Sequence, residues 1–133
     1  MKFFTPAEAN EALEVVRPLV ERLVERRRSF LEHDGELDRY REKIATNGGG
    51  LDHRRFHELQ EAASEEAEEI TRSLEAIAAL GVQVKDPDRG LVDFPSRHPG
   101  GDPVLLCWRL GEREVAYWHG VEDGFAGRKP LPF

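Results

Sequence analysis

An α+β fold is predicted for this 133-residue chain, in which a long antiparallel helical hairpin is followed by a small, mainly antiparallel β-sheet of about four strands. Apolar residues recur at helical spacing through the first 80 residues, and a run of three glycines divides that region in two. From Val82 onward the spacing changes to two residues, which is typical of strands. We therefore expect a single domain over 1–133, with the hairpin in 1–80 and a β-hairpin sheet and C-terminal tail in 81–133.

The first helix is expected to begin at Thr5, because Thr5, Pro6 and Glu8 form a capping box with proline at the first helical position. A seven-residue repeat then predicts packing along the whole helix against another helix; it comprises Val16, Leu23, Phe30, Leu37 and Ile44. Pro18 is expected to kink this helix. At Asp34-Gly35 the sequence leaves open whether the helix breaks or only bends.

The three glycines Gly48–Gly50 are expected to form a mobile tip, after which Asp52 caps a second helix that ends at Gly81. The second helix carries its own apolar stripe, which comprises Phe56, Leu59, Ala63, Ala67, Ile70, Leu74 and Ile77. A two-helix hairpin offers each stripe only one partner. Either the C-terminal half or a second copy of the chain must cover the remainder, and we expect a homodimer.

Two strand pairs are predicted in the second half, and the clearer one joins VLLCWRL to REVAYWH through a two-residue turn at Gly111-Glu112. This register places Leu106 opposite Tyr117, so that Cys107 and His119 point to opposite faces of the sheet. It also places Arg109 opposite Glu114 as a cross-strand ion pair. A three-residue loop would shift the register, and the sequence does not exclude one.

Side chains that bind metals gather in the strand half, namely Asp93, Cys107, His119 and Glu122. A thiolate, an imidazole and carboxylates are suitable ligands for zinc or another divalent ion. Their spacing matches no established metal motif, so the alternative stays open that Cys107 is a small buried residue and His119 bonds to the backbone. Nucleophilic catalysis by Cys107 is disfavoured, because its large apolar neighbours raise the pKa of a thiol.

A ligand site is a further hypothesis for the same region, and its candidate residues are Arg128, Arg97 and Trp118. Arg128 and Arg97 suit a small anion, although for Arg128 pairing with Asp93 or Glu122 is the favoured interpretation. Trp118 is expected on the sheet face that it shares with Leu105, where it lines a dimer surface or a groove.

Composition excludes several classes of function. The net charge of −7 and the mixed signs along the chain argue against nucleic-acid binding, and Arg26–Arg28, the only basic cluster, lies among glutamates on a helix face. No apolar run reaches the roughly 18–20 residues that span a bilayer. The single cysteine excludes an internal disulfide, and the residues Met1–Pro6 do not resemble a signal peptide. We expect a cytoplasmic protein with neither nucleic acid nor membrane as a partner.

Five segments in fixed order resemble the bacterial domain-of-unknown-function 2203 family, namely FFTPAEANEAL, GVQVKDPDRGLVDFP, LCWRLGE, YWH and GFAGR. The resemblance covers nearly the whole chain. It implies a small single-domain prokaryotic protein without an established activity, and it supplies no catalytic residues. The sequence therefore favours a non-catalytic module for self-association or partner binding. The alternative is a metal-binding protein or metal-dependent enzyme with its site in the C-terminal β region.

Overall fold

The computed structural model describes residues 2–47 and 53–133 and confirms the α+β fold. Two helices, α1 (Pro6–Asn47) and α2 (His53–Ala79), precede an antiparallel sheet with the order β1-β2-β3-β4-β5. The strands are β1 (Gln83–Asp86), β2 (Leu91–Arg97), β3 (Pro103–Arg109), β4 (Tyr117–Gly120) and β5 (Lys129–Pro130), with a 3-10 turn at Phe125–Gly127. The two-residue β5 is the addition to the four predicted strands. The predicted glycine tip and the Asp52 cap lie outside the described residues.

The start of α1 is the predicted capping box. The Thr5 N–H donates to Glu8 Oε1 at 2.9 Å, and the Glu8 N–H donates to Thr5 Oγ1 at 3.1 Å. The helix continues through Pro18 and through Asp34-Gly35 without a break. At 1.5 Å per residue, its 42 residues extend over about 63 Å.

The hairpin packs its base against one face of the sheet. Val16, Val20 and Leu23 of α1 and Ile77 of α2 are fully buried there. From the sheet they meet Val92, Phe94, Leu106 and Trp108. Toward the end of α1 and the start of α2, a second, smaller cluster contains only helix residues: Leu37, Leu59 and Ala63 are buried, and Phe30, Tyr40 and Phe56 are partly buried.

The two helices therefore cover most of each other's stripes within one chain. Of the seven-residue repeat, only Ile44 is exposed, at 41%. None of the apolar positions predicted for α2 is exposed. The segments of α1 and α2 in the described part of the chain include no stretch long and apolar enough to cross a membrane.

The predicted register of β3 and β4 is wrong by one residue. Leu106 pairs with Trp118, Cys107 with Tyr117 and Leu105 with His119. Because side chains alternate between faces, this shift turns every β4 side chain to the face opposite the predicted one. Cys107 and His119 consequently share a face, whereas Trp118 lies on the face of Leu106, toward the helices.

The shift arises because residues 110–116 lie outside the strands, and three of them, Glu112, Arg113 and Val115, bond to α1. The Asn10 amide receives the Val115 N–H on Oδ1 at 2.7 Å and donates from Nδ2 to the Val115 carbonyl at 3.2 Å. Arg17 donates to the carbonyls of Glu112 at 3.3 Å and Arg113 at 2.9 Å. These bonds satisfy backbone groups that a tight two-stranded hairpin would have paired with each other.

The predicted ion pair between Arg109 and Glu114 is likewise wrong. Among the described residues Arg109 forms no ion pair with Glu114, and its guanidinium lies over the Phe125 ring, 5.9 Å from the centroid. The Arg109 N–H donates instead to Glu112 Oε1 at 2.8 Å.

Candidate functional site

Asp93, Cys107 and His119 meet on the sheet face that points away from the helices. They come from three adjacent strands, with Asp93 directly opposite Cys107 across β2 and β3. Each offers one metal-ligating atom, and the three atoms lie within 4.8 Å of one another. All three residues are buried, with exposures of 2%, 1% and 4%. The corrected register, not the predicted one, brings the thiol and the imidazole together.

The hydrogen bonds of His119 fix its tautomer. Its Nδ1 lies 2.8 Å from the Gly120 carbonyl oxygen, which can only accept, so Nδ1 carries a hydrogen. Its Nε2 lies 3.2 Å from Asp93 Oδ1. In a neutral imidazole this Nε2 is an acceptor facing a carboxylate oxygen, and two acceptors approach so closely only with a proton or a cation between them.

The surroundings favour the uncharged forms of the two acids. Burial raises the pKa of Asp93, and the nearby His119 opposes that rise. Burial also raises the pKa of the Cys107 thiol to about 11, with a further contribution from the Asp93 charge. A nucleophilic role for Cys107 has no support here, because both ring nitrogens of His119 are engaged by Gly120 and Asp93.

Arg128 lies next to Cys107 at the edge of this cluster and forms an ion pair with Glu112. Two parallel bonds of 3.0 and 2.6 Å join its guanidinium to the Glu112 carboxylate, which raises the pKa of Arg128. The guanidinium also stacks on Tyr117, the residue opposite Cys107, at 3.9 Å from the ring centroid. The prediction that Arg128 pairs with Asp93 or Glu122 is therefore wrong. Sequence reasoning missed Glu112, because a glutamate in a turn carries no signal for a partner 16 residues away.

The other predicted site residues do not join the cluster. Glu122 is exposed in the loop after β4, and its carboxylate is not among the three side chains that converge. Arg97 stacks on the Phe3 ring at 4.2 Å. Trp118 packs against the rings of His98 and Phe133, with centroid distances of 5.2 and 5.4 Å. Arg97, Trp118 and Arg128 thus each have a different set of partners.

A family model described as "Uncharacterized conserved protein (DUF2203)" matches residues 2–131. The chain belongs to the DUF2203 family. The match includes every strand and all three residues of the buried cluster, and it confirms the resemblance found in the sequence. A search of curated proteins found no match for this DUF2203 chain, and a search of solved structures found none either.

Proposed function

We propose that this DUF2203 protein binds a divalent transition-metal ion, zinc being the best fit, through Asp93, Cys107 and His119. The observation that carries the proposal is the convergence of a carboxylate, a thiol and an imidazole in one buried place. These are the three ligand types that zinc takes in proteins, at metal–ligand distances of about 2.0–2.3 Å. A small inward movement of the side chains is enough to bring three atoms within 4.8 Å onto one ion.

The orientation of His119 supports the proposal. Metal-binding histidines almost always donate the hydrogen of their other ring nitrogen to a carboxylate or a backbone carbonyl, which fixes the ring and its tautomer. His119 donates from Nδ1 to the Gly120 carbonyl and directs Nε2 at Asp93. An ion between Nε2 and the Asp93 carboxylate would take the place of the proton that this contact otherwise requires.

Charge balance supports it as well. A thiolate and a carboxylate together carry two negative charges, which a divalent ion neutralises, so that the buried centre has no net charge. The adjacent Arg128 is already neutralised by Glu112. Three protein ligands leave the fourth position of a tetrahedral ion to water or another small molecule, as in catalytic rather than structural zinc sites.

Metal analysis of untagged protein tests the proposal, together with titration of the metal-free protein with Co²⁺. We expect one ion per chain and a thiolate-to-cobalt charge-transfer band. The affinity for the metal ion should fall in Cys107→Ser, Asp93→Asn and His119→Gln. Each fall should be larger than the loss of about 10- to 100-fold that follows removal of an outer-shell partner.

Glu122→Gln is the matched control, because this exposed carboxylate was predicted as a ligand and lies outside the cluster. It should bind metal like the natural chain. Circular dichroism of each variant separates loss of the ion from loss of the fold. A natural chain that holds no stoichiometric ion and gives no cobalt band would overturn the proposal.

Self-association through the helical hairpin is the second candidate. It is supported by the small cluster toward the end of α1 and the start of α2, which contains helix residues alone and in which Phe30, Tyr40 and Phe56 are only partly buried. A second hairpin laid against this end would cover the three rings. We propose that any homodimer of this chain forms there rather than at the base.

A further inference from the structure

A groove between α1 and α2 gathers three arginine side chains. Its volume is about 530 Å³, within the range of about 300–1,000 Å³ that is common for small-molecule sites. The polar residues of its lining are Arg22, Arg26, Glu69, Arg72 and Ser73, and all of them belong to the helices. None of the three proposed metal ligands lines this groove.

The groove is positively charged in an acidic protein. Arg26 forms an ion pair with Glu69 across the two helices. Within residues 2–47 and 53–133, Arg22 and Arg72 form neither an ion pair nor a hydrogen bond. Three guanidinium groups and one carboxylate give a local charge of 3 − 1 = +2 on a chain whose net charge is −7. Two cations thus face the groove without a protein counter-ion in the described part of the chain.

Ser73 adds a hydrogen-bond donor to the groove. It is only 5% exposed, and it lines the same groove. Its hydroxyl has no hydrogen-bond partner among the residues that the structure describes. A serine hydroxyl without a protein partner, beside two arginines without a counter-ion, suits an oxygen-rich anion.

We infer that this groove binds a small molecule that carries a phosphate or diphosphate group. The guanidinium fork matches phosphate oxygens in pairs of hydrogen bonds, and a serine hydroxyl donates to the same kind of oxygen. The volume exceeds that of a single phosphate, which favours a diphosphate or a phosphate on an organic carrier. The inference is separate from the metal site, since the two share no residue.

Isothermal titration calorimetry of the full chain with inorganic pyrophosphate tests the inference. The buffer contains EDTA, so that metal bound by the protein or by the probe contributes nothing, and the ionic strength is held constant. We expect saturable binding of one pyrophosphate per chain. Arg22→Gln and Arg72→Gln should each weaken it about tenfold or more, and Ser73→Ala should weaken it too.

Arg28→Gln is the matched control, because Arg28 is an exposed arginine of α1 that does not line the groove. It should bind like the natural chain. Titration with ADP identifies the source of the phosphate: tighter binding than pyrophosphate indicates an organic carrier, and equal or weaker binding indicates the free anion. Absence of saturable binding, or equal affinities in Arg22→Gln, Arg72→Gln and Arg28→Gln, would overturn the inference.

Discussion

The helical hairpin is built differently at its two ends. At its base, thirteen buried apolar residues from both helices, the sheet and their connections form one core. At the other end, where α1 ends and α2 begins, the described apolar cluster has only three buried members, and all of them belong to the helices themselves. The apolar stripe runs through both ends at the same spacing, so the spacing alone does not reveal how deeply a residue is covered. Apolar residues are buried more deeply at the base, because only there does the sheet form a second layer against the helices.

The largest expected effect tests this difference with the same substitution at both ends. Leu23→Ala at the base and Leu59→Ala near the tip remove leucines that are 0% and 1% exposed. We expect Leu23→Ala to lower the free energy of unfolding by about 3–5 kcal/mol and Leu59→Ala by about 2 kcal/mol. The difference is expected because the end of the hairpin that the sheet does not cover collapses more readily around the lost volume. Urea unfolding of both variants measures the two values.

Val15→Ala is the control for this pair, since Val15 is 55% exposed on α1. Its effect should lie within about 0.5 kcal/mol of zero. A cost for Leu59→Ala that equals or exceeds the cost for Leu23→Ala would mean that the two ends are equally well packed.

A second prediction concerns the ionisation of Cys107, which is buried in the sheet. Its pKa of about 11 lies above the value of 9.0 for an accessible thiol, so the folded state holds the proton more tightly than the unfolded state. The resulting stability is fully present below pH 9 and is lost as the pH rises through 11. In metal-free protein the loss should be on the order of 2 kcal/mol relative to Cys107→Ala.

Urea unfolding of the natural chain and Cys107→Ala between pH 8 and pH 11 tests this, since all other titrating groups are common to both. The difference in stability between them should shrink or reverse as the pH rises. Parallel curves over that range would show that the thiol ionises as freely in the fold as in the unfolded chain.

The smallest expected effect is on self-association of the chain through the end of the hairpin that the sheet does not cover. Light scattering should give twice the chain mass of 15.1 kDa at high micromolar concentration if the hairpin ends pair. Ile44→Glu should then weaken the pair about tenfold, because it replaces an exposed apolar residue at that end with a charge, whereas Val15→Glu at the base should not. A single-chain mass for the natural protein would remove the proposed dimer.

The elements that depend on local pattern could be predicted from the sequence. The box of Thr5 and Glu8 starts α1, and the change of spacing at Val82 marks the passage from helix to sheet. The β3–β4 register could not be predicted, because it is set by bonds from Asn10 and Arg17 to backbone groups about a hundred residues away. The residue types Asp93, Cys107 and His119 were recognisable in the sequence as possible metal ligands, but their convergence depended on that register. The pairing of Arg128 with Glu112 could not be predicted, because a turn glutamate carries no signal for a partner 16 residues away.

The two bonds between Asn10 and Val115 have a consequence for the order in which the molecule assembles. They connect residues 105 positions apart. Through them, the first turns of α1 bond to the backbone of a piece of chain that lies outside the strands. Glu112 lies in that piece and forms an ion pair with Arg128, which also interacts with Cys107. A chain emerging from the ribosome can therefore complete the surroundings of Cys107 only after Arg128 has been synthesised and the first helix has docked.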